Sequence, residues 1–282
     1  MFNNPQIRAL ATSSNEDGLR LSERDWPLVL NANRAFEEKT ANWKGDHVWG
    51  DYLLNKISGI GPLDLSSSLE LCCGNGFLFF SFRDRANLEM GCHFIDLSEV
   101  QLQAFVQRCQ QSSIPAPSVL RGDIGKLPFA NCSKRLIYGH SFLHHLPDVG
   151  GYVREIARVL EKDGYFIDFH EPTPTAPLLE SFPRPLLKRV KTDSLTDIWL
   201  IKPDVIVRLL RGAGFSKADV YPSNLLASFL VVPWQTVLAK LRKPYQGSAL
   251  LTLRMWCDKL DRLLPGGVRR RYAPSIAIVA QK

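Results

Sequence analysis

Ser68-Leu69-Glu70-Leu71-Cys72-Cys73-Gly74-Asn75-Gly76 decides the fold. Its apolar run is too short for a helix and ends on two closely spaced glycines, after which the chain from about Phe77 reads as a helix. Strand, turn and helix in that order open a nucleotide-type α/β domain. Glycine suits such a turn because a side chain there would restrict φ and hold the backbone away from a ligand. Asp96 strengthens the reading. It falls 20 residues after Gly76, at the end of a second predicted strand over 91–95, where a carboxylate can accept hydrogen bonds from both hydroxyls of a ribose.

Further along the chain the same unit recurs. Ser98 can cap a helix running through Arg108, with Glu99 in its first turn suiting the helix dipole. A third strand over 118–121 ends at Gly122-Asp123, and a fourth over 135–138 leads into residues 140–145. A helix over 149–160 carries Val153, Ile156, Ala157 and Leu160 on one face, Lys162-Asp163-Gly164 closes it, and a fifth strand over 165–169 ends at His170-Glu171. Residues 172–191 are rich in Pro and basic side chains and read as a lid. Pro203 opens a helix that stops at 212–214, and a strand over 215–221 follows. The apolar run 225–241 and an amphipathic helix over 249–264 form an insertion before a last strand over 274–280.

The expected architecture is therefore α/β: a doubly wound, Rossmann-like, seven-stranded and mostly parallel sheet with helices on both faces. Residues 1–45 would form an N-terminal helical cap and 46–223 the core with its lid over 172–200. Residues 224–273 would be the helical insertion, and 274–282 would return the last strand to the core.

Composition excludes some classes. With 45% hydrophobic and 22% charged residues the chain sits in the globular regime rather than the disordered one. The net charge of +7 is unevenly spread: residues 1–171 carry 17 Lys+Arg against 21 Asp+Glu, and residues 172–282 carry 18 against 7. A basic second half can attract anionic lipid headgroups, phosphorylated acceptors or nucleic acid; the plainer alternative is a solvated face. The six cysteines show no CxxC pair and no zinc spacing, so no metal site is expected. Without a secretory signal at the start, reduced thiols and a cytoplasmic location are the default expectation. The run 225–241 is interrupted by Pro233 and Gln235 and falls short of the roughly 20 residues that span a bilayer, leaving two readings: it lies on a membrane surface or it packs on the sheet.

A dinucleotide site needs a third glycine three residues after the second, and Phe79 stands there, so NAD is disfavoured. A nucleoside ligand without a pyrophosphate does not need that close helix packing. Together with the turn, the blocks Phe94-Ile95-Asp96-Leu97-Ser98, Gly122-Asp123-Ile124-Gly125-Lys126-Leu127-Pro128-Phe129, Leu143-His144-His145-Leu146-Pro147-Asp148 and Arg154-Glu155-Ile156-Ala157-Arg158-Val159-Leu160 resemble class I methyltransferases of the ubiquinone/menaquinone-biosynthesis type (methyltransferase types 11 and 12). The order and spacing agree from about residue 45 to 221. The resemblance implies S-adenosylmethionine as methyl donor. It implies that Glu70, Cys72, Gly74 and Gly76 shape the methionine pocket and that Asp96, with Leu97 beside it, binds the ribose. It further implies that Asp123 and the Ile124 backbone receive the adenine amine, and that the backbone around Gly139 and His140 lies beside the sulfonium. Two positions depart from the pattern: Cys72 replaces the first glycine, and Arg135 stands where the family has an acidic residue.

Methyl transfer is an in-line displacement at an already activated carbon, so alignment supplies much of the rate, and a base is needed only where the acceptor keeps its proton. The histidines at strand ends are the candidates, each with a structural alternative as a loop or capping residue. His170, beside the lid, is the preferred base, with His144 second. The expected reaction is methylation of oxygen or carbon on a small hydrophobic, lipid-linked or saccharide-type acceptor met at a membrane surface, since apolar runs and basic residues mix around the strand ends. Nucleic acid is disfavoured as a partner. An RNA methyltransferase draws on the basic half but lacks clustered stacking aromatics and an Asn-Pro-Pro-Tyr motif. A non-catalytic donor-binding regulator is the third reading, and oligomeric state is left open.

Overall fold

The computed structural model describes residues 47–57, 67–82, 92–115, 118–146, 148–175, 200–234, 237 and 248–282. The predicted cap over 1–45, most of the lid over 172–200 and part of the apolar run 225–241 lie outside the described residues. Seven strands form one sheet: β1 (Ser68–Leu71), β2 (His93–Asp96), β3 (Ser118–Arg121), β4 (Lys134–Gly139), β5 (Leu160–Pro172), β6 (Lys217–Ser223) and β7 (Ser275–Gln281). Their order is β3-β2-β1-β4-β5-β7-β6, and β7 runs antiparallel to both neighbours while the other pairs are parallel. This is the doubly wound α/β fold expected from the sequence. Strand order reverses between β1 and β4, so the ligand crevice opens at the carboxyl ends of those two strands.

Among the described residues the main helices are α1 (His47–Lys56), α2 (Phe77–Phe82), α3 (Glu99–Gln111), α4 (Val149–Val159), α5 (Pro203–Gly212), α6 (Leu225–Leu230), α7 (Ser248–Asp261) and α8 (Gly266–Tyr272). Period-two alternation divides the core between the two faces of the sheet. Ile137, Phe166, Ile276 and Ile278 lie under α4 and α5, with Val153, Ile156 and Ala157 as the α4 stripe. Tyr138, Ile167, Phe169, Ala277 and Val279 face the other way, under Leu53 of α1, Phe82 of α2 and Leu251 of α7. Ser98 caps α3 as expected, its side chain accepting from Gln101 N at 3.3 Å.

Three local readings change. First, α4 ends at Val159 and Leu160 already belongs to β5, so Lys162-Asp163-Gly164 does not close a helix. Pairing passes from Lys134↔Leu160 to Leu136↔Tyr165, and residues 161–164 bulge against Arg135. Asp163 takes the left-handed φ of 65° that the bulge needs, while Lys282 holds it by donating from its backbone N to Gly164 O at 3.0 Å. Second, Arg135 occupies the exposed position of β4, so its replacement of an acidic residue disturbs no core packing. Third, α8 has no buried residue, and its Arg269-Arg270-Arg271 run offers no apolar stripe for periodicity to detect.

The insertion helix α7 turns two stripes outward and inward. Leu251 joins the core, while Asp258 and Asp261 reach α6: Asp258 Oδ1 accepts from Asn224 N at 2.8 Å, and Asp261 accepts from Leu225 N at 2.9 Å and Leu226 N at 3.0 Å. These are backbone donors that the start of a helix otherwise leaves unsatisfied, which accounts for two carboxylates in a buried place. The opposite stripe, Leu253, Trp256, Leu260 and Leu263, is exposed, Leu263 at 81%. Among the described residues no helix is long and apolar enough to cross a membrane.

Candidate active site

At the end of β1 the turn is fastened to the ends of β2 and β3. Cys73 N donates to Ile95 O at 3.1 Å, and Gly74 N donates to Asp96 Oδ2 at 2.8 Å. Asp96 Oδ1 accepts from Ser98 N at 2.8 Å, and Asp96 O accepts from Gly122 N at 3.0 Å. Next along, Asp123 Oδ1 accepts from Gly125 N at 2.8 Å. The glycine turn is thus bonded to Asp96, and Gly122 ties the end of β3, with Asp123 next to it, to the same strand end. Cys72 sits among them: burial pushes its thiol well above the usual range, and the charges of Asp96, Asp123, Asp168 and Glu171 add to the push.

The glycines of the turn do different jobs. Gly74, at φ 52°, has only Gln101 Oε1 near the direction of a side chain, at 3.7 Å, so its face of the turn is open. Gly76, at φ 79°, is filled from behind, because a Cβ there would lie 2.3 Å from Phe105 Cδ2 of α3. Cys72 itself has φ 50°, which explains why a glycine is usual at its position.

Glu70, one strand position before Leu71, is 1% exposed. Burial pushes its carboxyl up to about 8, against a smaller downward pull from Tyr138, and Asp96 adds to the rise. The Tyr138 hydroxyl approaches without closing a hydrogen bond, and Glu70 Oε2 has no hydrogen-bond partner among the described residues. An orphaned buried acceptor beneath an open turn is what a cationic ligand group would satisfy. Asp96 is likewise raised by burial, opposed by the N–H groups of Ser98, Gly74 and Leu97. Its Oδ2 accepts from Gly74 N and its Oδ1 from Ser98 N, which leaves lone pairs on the carboxylate for a ligand hydroxyl. Leu97 is half-buried beside it, and the Ile124 side chain is in the core, leaving its backbone to meet a ligand. The residues present fit an adenosyl sulfonium compound.

Across the crevice, the ends of β4 and β5 hold a second cluster. His140 stacks on His170 with ring centres 5.6 Å apart and 20° between planes. Phe77 lies 5.6 Å from His140, and Trp49 lies 5.2 Å from Phe77, completing a row of four rings. His144 belongs elsewhere: its Nδ1 is 2.8 Å from Glu171 Oε2. Glu171 also accepts from Phe142 N and Leu143 N at 2.8 Å and His144 N at 3.0 Å, so this pair braces the loop after β4. Burial would raise Glu171, but the His144 hydrogen bond and its companions outweigh it and hold the carboxyl below its usual value. Burial keeps neighbouring Asp168 well above its usual value, and Glu171 reinforces that. Burial, then the Lys56 charge, pushes His140 down to about 3 and His170 well below its ordinary value. Sequence reasoning missed Lys56, whose Nζ lies 3.3 Å from His170 Nδ1. A lone lysine ending a short helix offers no periodic signal.

This sheet, with its donor-side turn and acidic strand ends at the reversal of strand order, defines the class of S-adenosylmethionine-dependent methyltransferases. Residues 69–168 match the family described as a methyltransferase domain. It is 28% identical over 189 residues to a demethylmenaquinone methyltransferase of Lactococcus lactis subsp. lactis (strain IL1403), covering 62% of this chain and 74% of that relative. An uncharacterized methyltransferase, YcgJ of Bacillus subtilis (strain 168), is 30% identical over 91 residues; the match spans 32% of this chain and only 36% of that relative. Among solved structures, Haemonchus contortus phosphoethanolamine N-methyltransferase 2 in complex with S-adenosyl-L-methionine shares the fold, with a TM-score of 0.59 and 16% identity over 93% of this chain and 60% of that one.

Proposed function

We propose that the chain transfers the methyl group of S-adenosylmethionine to an oxygen or carbon of a small, hydrophobic, lipid-linked or saccharide-type acceptor met at a membrane surface. In this reading Asp96, with Leu97 beside it, takes the ribose hydroxyls, Asp123 and the Ile124 backbone take the adenine amine, and Glu70, Cys72, Gly74 and Gly76 shape the methionine pocket. The backbone at Gly139 and His140 borders the reacting carbon. When bound, the sulfonium supplies a methyl carbon whose bond to sulfur breaks with its electron pair as the acceptor's lone pair forms the new bond. The chain's own work is alignment and exclusion of water. His170 touches the acceptor in this reading, and His144 acts through Glu171 as a brace for the loop.

The observation that carries the reading is the fastening of the turn to Asp96 through Gly74 N. Favouring an amphiphilic acceptor are the exposed stripe of α7 and the basic residues Lys259, Arg262 and Arg269 to Arg271 near it in sequence. The corresponding division of the chain is 1–45 as cap, 46–223 as core with a lid over 172–200, 224–273 as insertion and 274–282 as the returning strand. Calorimetry with S-adenosylmethionine tests the donor site. Mass spectrometry of cell extracts incubated with isotope-labelled donor tests the transfer: label in a small lipid-soluble product is expected, and label confined to RNA or protein would overturn the acceptor class.

A further inference from the structure

Lys56 is only 4% exposed, yet no carboxylate among the described residues lies within ion-pair distance of its Nζ. Its neighbours are the Nδ1 of His170 at 3.3 Å and the face of Tyr52, whose ring centre is 4.7 Å away. Two carboxylates lie in the region. Glu171 accepts four hydrogen bonds from the loop after β4. Asp258 Oδ1 takes Asn224 N, its Oδ2 has no hydrogen-bond partner among the described residues, and its carboxyl feels the charge of Lys56, then of Arg254 and Arg262. Arg254 of α7 adds a second positive charge felt at His170, and its Nη1 donates to Asn224 Oδ1 at 3.2 Å. One carboxylate, Asp258, thus faces three cationic side chains, and the excess of buried positive charge beside His170 favours a further anion there.

The contact also fixes a proton. An ammonium has donors only, so His170 Nδ1 must be the accepting nitrogen and the ring's proton sits on Nε2. His170 then presents an N–H rather than a lone pair, so in this reading it is a donor to the acceptor and not the base expected from the sequence. From this geometry we infer that Lys56 and His170 form a subsite for an anionic oxygen of the methyl acceptor, with His170 Nε2–H donating to it and Lys56 acting behind the ring as positioning residue and counter-charge. This deepens the proposed function and rests on that reading of the crevice. A carboxylate is the favoured source, because it carries its charge before binding, whereas a phenol would lose its proton on entry. The ring row of Trp49, Phe77, His140 and His170 gives the apolar part of such an acceptor a flat wall.

The test measures binding of decanoate, 4-octylphenol, decanol and decylamine to the full chain saturated with S-adenosylhomocysteine. Decanoate or 4-octylphenol should bind at least about tenfold more tightly than decanol and decylamine; which of the two leads identifies the source of the oxygen. Lys56→Met should lose at least about tenfold in that affinity and Lys56→Arg should recover part of it, with S-adenosylhomocysteine affinity kept within about twofold. Nitrogen-15 spectra of the His170 ring give a readout independent of any acceptor: an Nε2–H tautomer in the natural chain and its loss in Lys56→Met. Equal binding of decylamine, an unchanged Lys56→Met affinity, or a proton on His170 Nδ1 in the natural chain would overturn the inference. Failure to bind S-adenosylhomocysteine at all would instead strike the donor-site reading.

Discussion

Gly74 N donates to Asp96 Oδ2 across 2.8 Å, so the open glycine of the turn and the carboxylate assigned to the ribose hold each other in place. Asp96→Ala removes the proposed ribose contact and leaves Gly74 N and Ser98 N without their acceptor. We expect donor binding to fall below detection in calorimetry, with a stability loss of about 1–3 kcal/mol in urea unfolding, short of collapse of the fold. Natural affinity in a folded Asp96→Ala protein would remove Asp96 from the site.

Gly74 and Gly76 should separate in a pair of variants. In Gly76→Ala the new Cβ meets Phe105 and is forced into a φ of 79°, and a loss of roughly 2–4 kcal/mol is expected. Adding Phe105→Leu should recover the steric share and leave the backbone share. Gly74→Ala meets nothing closer than 3.7 Å, so its stability cost should be near 1 kcal/mol, approximately that of φ alone, while donor affinity suffers more. Equal stability losses in thermal melts would mean that the two positions are equivalent after all.

Most of the frame was legible because it is written in short-range patterns. The Leu69–Leu71 run, the Gly74 turn and Asp96 stand at fixed spacings, and β3 falls where alternation and Gly122-Asp123 put it. What escaped depends on contacts between distant segments. Lys56 meets His170 across 114 positions of sequence, and the buried Asp258 and Asp261 make sense only once α6 lies against α7. The bulge at Asp163 escaped for the same reason: Lys-Asp-Gly is good turn chemistry, and only pairing with β4 and the bonds to Lys282 make it a bulge inside β5 rather than a helix stop.

Glu70 gives the ligand-free protein a pH dependence of known sign. Its folded pKa of about 8 lies above the ordinary 4.5, so the folded state holds a proton that the unfolded chain releases between those values. Its contribution is fully present below 4.5 and declines as pH rises towards 8, by on the order of a few kcal/mol. Glu70→Gln should therefore flatten the decline in urea midpoints across that window. A cationic donor beside Glu70 should lower its pKa and release a proton on binding near neutral pH, visible as buffer-dependent calorimetric heats. Identical pH profiles for Glu70→Gln and the natural chain would show that this carboxyl does not titrate as described.

The outward stripe of α7 separates a membrane-facing insertion from a helix that merely covers the sheet. The opposite side already packs inward, Leu251 into the core and Asp258 and Asp261 onto the start of α6, so Trp256 and Leu260 are not needed for covering. Each would gain up to about 1.5–3 kcal/mol if fully buried in lipid, and the basic residues around the stripe favour an anionic surface. The natural chain should float with phosphatidylglycerol vesicles more than with phosphatidylcholine vesicles, and less at high salt. Trp256→Ser with Leu260→Ser should abolish most of that flotation while leaving donor affinity unchanged, because both side chains lie on the exposed stripe. If the natural chain ignores anionic vesicles, or the double variant floats as well as it does, the stripe has another purpose and the acceptor need not be met at a membrane.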